Sequence, residues 1–335
     1  MTDDIQLLNK IFSVDANNFA ETCHAVFSYQ YQQNPVFKEW CTLVGKAPEN
    51  TQNIQSQEEL IKSLAFLPIS FFKSHAIKTT DFEPVQTFES SGTTKQNTSK
   101  HFVKSLAVYE ESFLKAFHLF YGDIKDYCVL ALLPSYLERT GSSLVMMADK
   151  LIQLSGHTKS GFYLDDFDAL HKTLIEQEVK GQRTLLLGVT FGLLDFSEQF
   201  KMNLKHTIIM ETGGMKGRKK ELTRIEVHEQ LKQGFGVTDI HSEYGMTELL
   251  SQGYSFGKGI FNCPPWMKIC VRSEDDPLSV SLHGKGIINV IDLANIYSSS
   301  FIATEDIGIV YEDGSFEVLG RLDNSDIRGC SLMYH

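Results

Sequence analysis

The feature that most constrains the fold of this sequence is a regular alternation of short apolar runs with helical patterns between residues 128 and 244. The run CVLALLP (Cys128–Pro134) is continuously apolar, which is typical of a parallel strand covered on both faces. Strand-like GFYL, RTLLLGVT, HTIIM and VTDIHSEYG follow it, separated by stretches with apolar residues at helical spacing. Strands and helices that alternate in this way form βαβ units. We therefore predict an α/β fold with a doubly wound, mostly parallel sheet flanked by helices.

The regions on either side of this core follow different patterns. Helical spacing predicts a helix over Asp15–Asn34, which Pro35 ends, and another over Ser105–Tyr121. Toward the C-terminus, β-rich segments are broken by glycines, and Asp313-Gly314 between two apolar runs is a strong hairpin signal. We predict an α/β core with a helical N-terminal part over residues 1–262, and a smaller antiparallel β region over residues 263–335.

The charge balance argues against several classes of partner. The chain has 31 Lys and Arg against 42 Asp and Glu, a formal net charge of −11. Nucleic-acid binders and polybasic membrane anchors need a basic face, so we expect this chain to bind neither nucleic acid nor a membrane surface in this way. No run approaches the roughly 20 apolar residues of a membrane span. The N-terminus lacks the pattern of a secretory signal.

The cysteines indicate the compartment. Six cysteines are scattered without CxxC pairs. In a chain of this length the pattern favours reduced thiols in the cytoplasm over a disulfide framework or a zinc site. Most are expected to be small buried hydrophobes.

A hydroxyl-rich stretch, FESSGTTKQNTSKHF (Phe88–Phe102), has the donors that phosphate oxygens bind. A glycine inside it permits close approach of backbone N–H groups. The stretch does not read GxxxxGK[ST], so a Walker A loop is excluded. A solvated surface loop is the other interpretation of this composition. The candidate phosphate-binding residues are Ser90, Ser91, Gly92, Thr93, Thr94 and Lys95.

Two further motifs follow predicted strands, where ligands bind in open α/β sheets. In METGGMKGRKKE, Gly213 and Gly214 permit a tight backbone turn ahead of a basic cluster. In HSEYGMTEL, Tyr244 has a stacking face, Gly245 permits close approach, Thr247 has a hydroxyl, and Glu248 is a hard oxygen ligand suited to Mg²⁺. A glycine turn and an ordinary helix start are the alternatives.

The last two motifs lie in the β-rich region. Asp306 in ATEDIG could accept hydrogen bonds from a ribose diol, although such an acidic pair is commonly only a turn. GRLDNSDIRGCSL carries Arg321 and, near its end, Arg328 beside Cys330. Each motif is weak by itself, and their order along the chain is the informative feature.

In that order, from about residue 60 to the C-terminus, the chain resembles the adenylate-forming (acyl-activating) superfamily. The segments LLPSYLERTGSSLV, TGGMKGRKKE and RGCSL are most similar to the acyl-protein synthetase (LuxE-type) family of bacterial bioluminescence operons. The resemblance implies the large N-terminal domain of these enzymes, ATP and Mg²⁺ as cofactors, and activation of a carboxylic acid, expected to be a fatty acid, as an acyl-adenylate. A thiol then takes the acyl group.

The resemblance also implies a role for each matching residue. Ser90 to Thr94 match the phosphate loop, and Thr212 to Gly214 match a loop lining the adenine and acyl pocket. Tyr244 matches the adenine-stacking aromatic residue, with Thr247 at the α-phosphate and Glu248 on Mg²⁺. Asp306 and Arg321 match the ribose-binding acid and the hinge arginine. Cys330 matches the cysteine that takes the acyl group as a thioester, although a small packing residue is the alternative.

Two departures from the family pattern leave alternatives open. Where the phosphate loop usually continues TTGxPK, this chain reads TTKQNTSK, so Lys95 or Lys100 is the candidate replacement. The sequence stops at His335, about where adenylate-forming enzymes continue into a domain with a catalytic lysine. A short acyl-CoA ligase and a non-catalytic nucleotide- or acyl-binding subunit are therefore the competing functions. The expected acyl acceptors are Cys330, an acyl carrier protein, an acyl-CoA reductase or coenzyme A.

Overall fold

The computed structural model describes residues 3–51, 56–90, 98–133, 141–213 and 222–322. These ranges contain ten α-helices and three 3-10 turns. None of the helices is both long and apolar enough to cross a membrane. The helices are α1 (Asp3–Ile11), α2 (Phe19–Gln33), α3 (Pro35–Leu43), α4 (Gln57–Ser63), α5 (Phe71–Ser74), α6 (Leu106–Tyr121), α7 (Ser143–Ser155), α8 (Phe167–Lys180), α9 (Thr190–Gln199) and α10 (Arg224–Phe235).

The same ranges contain fifteen β-strands. They are β1 (Leu67–Pro68), β2 (Gln86–Glu89), β3 (Lys100–Val103), β4 (Cys128–Leu132), β5 (Gly161–Phe162), β6 (Thr184–Val189), β7 (Thr207–Thr212), β8 (His241–Tyr244), β9 (Gly253–Ser255), β10 (Ile260–Asn262), β11 (Met267–Arg272), β12 (Val280–Ser281), β13 (Gly284–Asp292), β14 (Phe301–Val310) and β15 (Phe316–Arg321).

Contacts within the chain divide it into two compact units. The described parts of residues 1–83 and 265–335 form one, called here the split unit because two chain segments build it. The described parts of residues 84–264 form the other, the central unit. The N-terminal helices therefore group with the C-terminal strands, which the sequence pattern did not indicate.

The central unit has the predicted parallel sheet. Strands β4 to β8 pair in parallel in the order β8, β7, β6, β4, β5. Their residues are almost all buried, as the continuous apolar runs predicted. Strands β9 and β10 follow β8 in antiparallel orientation. The alternation of strands and helices predicted from the sequence is confirmed.

Helices cover this sheet. Alternate side chains of β4 pack with α8, α9 and α10, while α7 contacts β4 but contributes no residue to that cluster. Successive strand residues point to opposite faces, so α7 lies on the other face. The cluster comprises Cys128, Leu130, Leu132, Leu170, Leu174, Leu186, Leu193, Phe196, Leu204, Ile209, Val227, Leu231, Phe235 and Ile240.

The split unit has an antiparallel sheet in the order β12, β11, β13, β14, β15, and β1 pairs in parallel with β14. The predicted hairpin at Asp313-Gly314 joins β14 to β15 and pairs Val310 with Phe316. Gly314 has φ +83°, a left-handed conformation that glycine adopts without strain. The predicted β-rich character is confirmed.

One predicted helix end has a different consequence in the structure. Pro35 ends α2, as expected, but it also begins α3 as the first helical residue. Asn34 caps α3, because its Oδ1 accepts the N–H of Phe37 at 3.1 Å. Proline suits this position because the first N–H groups of a helix have no intrahelical acceptor.

A buried glutamine ties α2 to the turn before β14. The Nε2 of Gln30 donates to the carbonyls of Asn295 and Ile296, each at 3.0 Å. Its Oε1 accepts the N–H of Ser300 at 2.9 Å. Gln30 is fully buried, so bulk water does not reach the backbone groups that its side chain satisfies. Gln30 therefore satisfies a backbone segment that has no strand partner of its own.

We expect Gln30→Leu, which keeps the volume, to lower the free energy of unfolding by about 2–4 kcal/mol, because the buried carbonyl of Ile296 and the buried N–H of Ser300 lose their hydrogen bonds to the side chain. Urea unfolding measures the loss. Gln32→Leu, at an exposed position of the same helix, is the matched control and should change stability by less than about 0.5 kcal/mol. Equal effects of the two variants would contradict the assignment.

Candidate active site

The candidate site in the central unit begins where β7 and β8 end. These parallel strands pair Glu211 with Ser242 and Thr212 with Glu243. Parallel pairing places carboxyl ends at one edge of the sheet, the usual ligand-binding edge of such folds. Gly213 follows β7 with φ +71°, so the chain turns at a conformation that favours glycine. Thr212 and Gly213 of the first motif thus lie beside the strand that leads to Tyr244 and Gly245.

Glu211 is a buried carboxylate with its own set of donors. Thr190 Oγ1 lies 2.8 Å from its Oε2, and Ser242 Oγ donates to its Oε1 at 3.0 Å. His228 Nε2 lies 3.5 Å from the carboxylate and Arg224 Nε 4.0 Å. Burial by itself would raise the pKa of Glu211, but the hydrogen bond from His228 and the charge of Arg224 outweigh it and hold the pKa below the usual value.

Thr190 also fixes the turn after β7. Its Oγ1 lies 2.5 Å from the carbonyl of Gly213, as well as near Glu211. Thr190 is the first residue of α9, directly after β6. A hydroxyl at the end of β6 therefore holds the backbone at the end of β7.

Glu243 is the second buried carboxyl at this edge, and it has different surroundings. Thr212 Oγ1 is its hydrogen-bond partner, through Oε2. Its Oε1 lies against the backbone of Gly245, where a Cβ at residue 245 would overlap it. Burial raises the pKa of Glu243 to about 7, although the hydrogen bond from Thr212 opposes the shift. An added Cβ at residue 245 would therefore have to displace this carboxyl.

Tyr244, Thr247 and Glu248 occupy the end of β8 and the loop that follows it. Tyr244 is 8% exposed, and its ring packs edge-on to Phe261, with centroids 6.0 Å apart. Thr247 is half-buried and Glu248 is buried. The loop is tightened by the N–H of Leu249, which donates to the carbonyl of Met246 at 3.1 Å.

The hydroxyl-rich stretch is carried by the β2–β3 hairpin. Two hydrogen bonds join Ser90 to Ser99 just beyond the paired strand residues. The N–H of Ser90 donates to the carbonyl of Ser99 at 3.1 Å, and the N–H of Ser99 donates to Ser90 Oγ at 3.0 Å. The predicted phosphate-binding residues Ser91, Gly92, Thr93, Thr94 and Lys95 lie outside the described residues, as do Gly214 and Cys330.

His101 connects this hairpin to the loop after β8. Its Nδ1 lies 2.8 Å from the carbonyl oxygen of Thr247, and a carbonyl only accepts, so Nδ1 carries the proton. The side chain is 1% exposed. The hairpin that presents the hydroxyl-rich loop is thereby held against the loop that carries Thr247 and Glu248.

In the split unit, Asp306 on β14 and Arg321 on β15 are directly paired. Arg321 Nε lies 3.8 Å from Asp306 Oδ1 and 3.8 Å from Glu305 Oε2. The Arg321 side chain is 64% exposed and the Asp306 side chain 18%, so the arginine extends into solvent over the aspartate. The two residues predicted from ATEDIG and GRLD are brought together by the β-hairpin.

Several residues of the site were not singled out from the sequence. Glu211, Glu243 and His101 stood inside quoted motifs, and Thr190 ended a strand-like run. Glu211 and Glu243 could have been found from the sequence, because each lies in or next to a strand-like run. An acidic residue that is buried in a strand has to be paired or neutral. No local pattern indicates His101, because its partner Thr247 is 146 residues away.

Comparison with known proteins adds the identity of the fold. No family model matches the sequence, and no curated protein matches it. Among solved structures, ATP-bound MatB from Rhodopseudomonas palustris is similar with a TM-score of 0.53 and 15% identity, over 70% of this chain and 47% of that one. O-succinylbenzoate coenzyme A synthetase (MenE) from Bacillus subtilis, in complex with AMP, gives 0.50 and 17% over 74% and 62%.

These similarities confirm the predicted fold, that of the N-terminal domain of adenylate-forming enzymes. The chain spans about half to three fifths of the solved structures it matches. At such identities the similarity is one of fold, and the roles of individual residues stay predictions.

We expect Gly245→Ala to destabilise the central unit by about 1–3 kcal/mol, because the added methyl group displaces the Glu243 carboxyl from its contact with Thr212. Thermal unfolding at pH 6 measures the effect. Gly161→Ala, in β5 of the same unit, is the matched control, since an added Cβ there meets nothing within 4 Å. A neutral Gly245→Ala would contradict the packing described.

Proposed function

We propose that this protein activates a carboxylic acid with ATP, forming an acyl-adenylate and pyrophosphate, and then transfers the acyl group to a thiol. The observation that carries the proposal is the arrangement in the central unit. Thr212–Gly213 and Tyr244–Glu248 lie at one edge of a parallel sheet, and His101 fastens the hydroxyl-rich hairpin to the second of these segments. The fold similarity and the order of the motifs support the same reaction class.

The chemistry requires that the acid be made electrophilic. A carboxylate is a poor electrophile. Its oxygen attacks the α-phosphate of ATP, pyrophosphate departs, and the same oxygen then bridges the acyl carbon and the phosphorus of an acyl-adenylate, from which AMP is a good leaving group. Negative charge concentrates on the α-phosphate during this step, so fixed donors aimed there lower the barrier. We assign this donor role to Thr247, whose backbone His101 holds in place.

Mg²⁺ fits the residues present. Among the described residues no group of three or more His, Cys, Asp and Glu side chains is placed to hold a metal ion by itself. Mg²⁺ is commonly bound by one or two carboxylates together with substrate phosphates. Glu248 would supply such a carboxylate, and the ion would neutralise phosphate charge. On the basis of the resemblance, we propose that Asp306 binds the ribose and that Arg321 is the hinge arginine.

The burial of four cysteines reduces the number of candidate thiol acceptors within the chain. Cys23, Cys41, Cys128 and Cys270 are free and buried. Burial raises the pKa of Cys41 and of Cys270 to about 12 and that of Cys128 to about 11, and it raises the pKa of Cys23 further. The thiolate is the nucleophile, so these four thiols are poor acyl acceptors at neutral pH. Cys263, which is only partly buried, and Cys330 remain as candidates. If the chain acylates itself, we assign the acceptor to Cys330 on the resemblance, with a carrier protein or coenzyme A as the later acceptor.

We expect the protein to exchange labelled pyrophosphate into ATP when a suitable carboxylic acid, tested first among fatty acids of graded length, is present. Glu248→Gln should lower this exchange about hundredfold or more, because phosphate charge is then less well neutralised. Glu229→Gln, at an exposed position of α10, is the control for charge. Measurable ATP binding without exchange for any acid would instead support the non-catalytic alternative.

We expect Cys330→Ser to keep pyrophosphate exchange and to abolish labelling of the protein by a radioactive acid, since exchange needs the adenylate and labelling needs the thioester. Cys263→Ser is the matched control, because Cys263 is the one described cysteine that is not fully buried. Labelling that persists in Cys330→Ser but disappears in Cys263→Ser would move the acceptor to residue 263.

A further inference from the structure

Glu211 and Glu243 lie on neighbouring strands, yet within the described residues only Glu211 has a basic side chain beside it. Arg224 lies 4.0 Å from Glu211, and His228 lies 3.5 Å away. In the same described ranges, no Lys, Arg or His forms an ion pair with Glu243. An ionised Glu243 would be a buried charge that no described cation compensates, close to a second carboxylate.

The other groups facing Glu243 do not compensate its charge either. Tyr109 and Tyr121 of α6 and Tyr254 of β9 are near enough for a Glu243 charge to raise their pKa values further, beyond the effect of burial. A phenol is neutral at physiological pH, so these side chains supply no positive charge. The fourth facing group is Glu211 itself, whose charge adds to the raised pKa of Glu243.

A buried hydrogen-bond acceptor near Glu243 also favours the neutral form of this residue. Gln252 is 4% exposed, and its Oε1 has no hydrogen-bond donor among the described residues. Its Cγ lies 3.4 Å from the position of a Cβ on Gly245, the same position that Glu243 Oε1 overlaps. A protonated carboxyl has an O–H to donate, whereas a carboxylate only accepts. The neutral form of Glu243 therefore adds a hydrogen-bond donor near this buried acceptor.

We infer that Glu243 is a positioning residue that works as a neutral carboxylic acid and joins Thr212, at the end of β7, to the Gly245 turn after β8. The inference rests on the proposed function in one respect, namely that these two segments hold a nucleotide. When Glu243 loses its proton, an unpaired charge drives water into this edge and separates the segments. Nucleotide affinity should then fall as pH rises through neutrality.

The protonation state is measured directly by carbon-13 NMR of protein labelled at the glutamate side-chain carboxyl carbons. We expect one signal that titrates near pH 7 and is absent from Glu243→Gln. Glu198→Gln, at an exposed position of α9, is the control and should leave that signal in place. A Glu243 signal that titrates with the exposed glutamates overturns the inference.

The functional consequence is measured as the dissociation constant of ATP between pH 6 and pH 8. Phosphate groups of ATP also titrate in this range. Their effect is the same for both proteins, so we compare the ratio of the dissociation constant of the variant to that of the wild type. If only the neutral form binds, this ratio should fall about tenfold for Glu243→Gln over that range. It should stay constant for Glu198→Gln, and a constant ratio for both variants overturns the coupling.

A readout without nucleotide separates failure of this inference from failure of the proposed function. Amide hydrogen exchange of peptides covering residues 207–213 and 241–250 should be faster in the wild type than in Glu243→Gln at pH 8, and equal at pH 6. If ATP binds neither protein, the proposed function fails, whereas this pH-dependent difference still supports the inference. Equal exchange at both values of pH overturns it.

Discussion

Parallel pairing of β6, β7 and β8 is the constraint on which the candidate site depends. It places three strand ends at one edge of the sheet, so that Thr190, Glu211 and Ser242 come within hydrogen-bonding distance although long stretches of sequence separate them. A polar group at such an edge is buried by its neighbours and needs a partner. The side chains that satisfy one another also fix the turns that follow each strand.

The same residue type takes two roles at this edge because its surroundings differ. Glu211 stays charged since His228 and Arg224 approach it, and it anchors the end of β6 to the end of β7. Glu243 has Thr212 and the Gly245 backbone as its neighbours, and no cation among the residues that the structure describes compensates its burial. Environments that push the pKa values of two neighbouring acids apart are a common feature of functional sites. This divergence follows from packing and not from the identity of the residue.

Prediction from the sequence succeeded where the signal was local. Continuous apolar runs indicated β4, β6 and β7, and Asp313-Gly314 indicated the hairpin, because strand burial and turn geometry depend on neighbouring residues. Pro35 was correctly predicted to end a helix, yet a proline also starts helices well, and the choice depended on the cap from Asn34. His101 and Gln30 were missed because their partners are distant in the sequence.

The sequence by itself determined the periodicity of the elements, the order of the motifs and the positions of the turn glycines, since each follows from the preferences of adjacent residues. Only the tertiary structure decided that the N-terminal helices join the C-terminal strands and that His101 holds the loop of Thr247. It also decided that Arg224 and His228 lie beside one buried glutamate, while no basic side chain of the described residues pairs with the other. These outcomes depend on which surfaces meet when the chain buries its apolar faces, and burial is set by the whole fold rather than by any local segment.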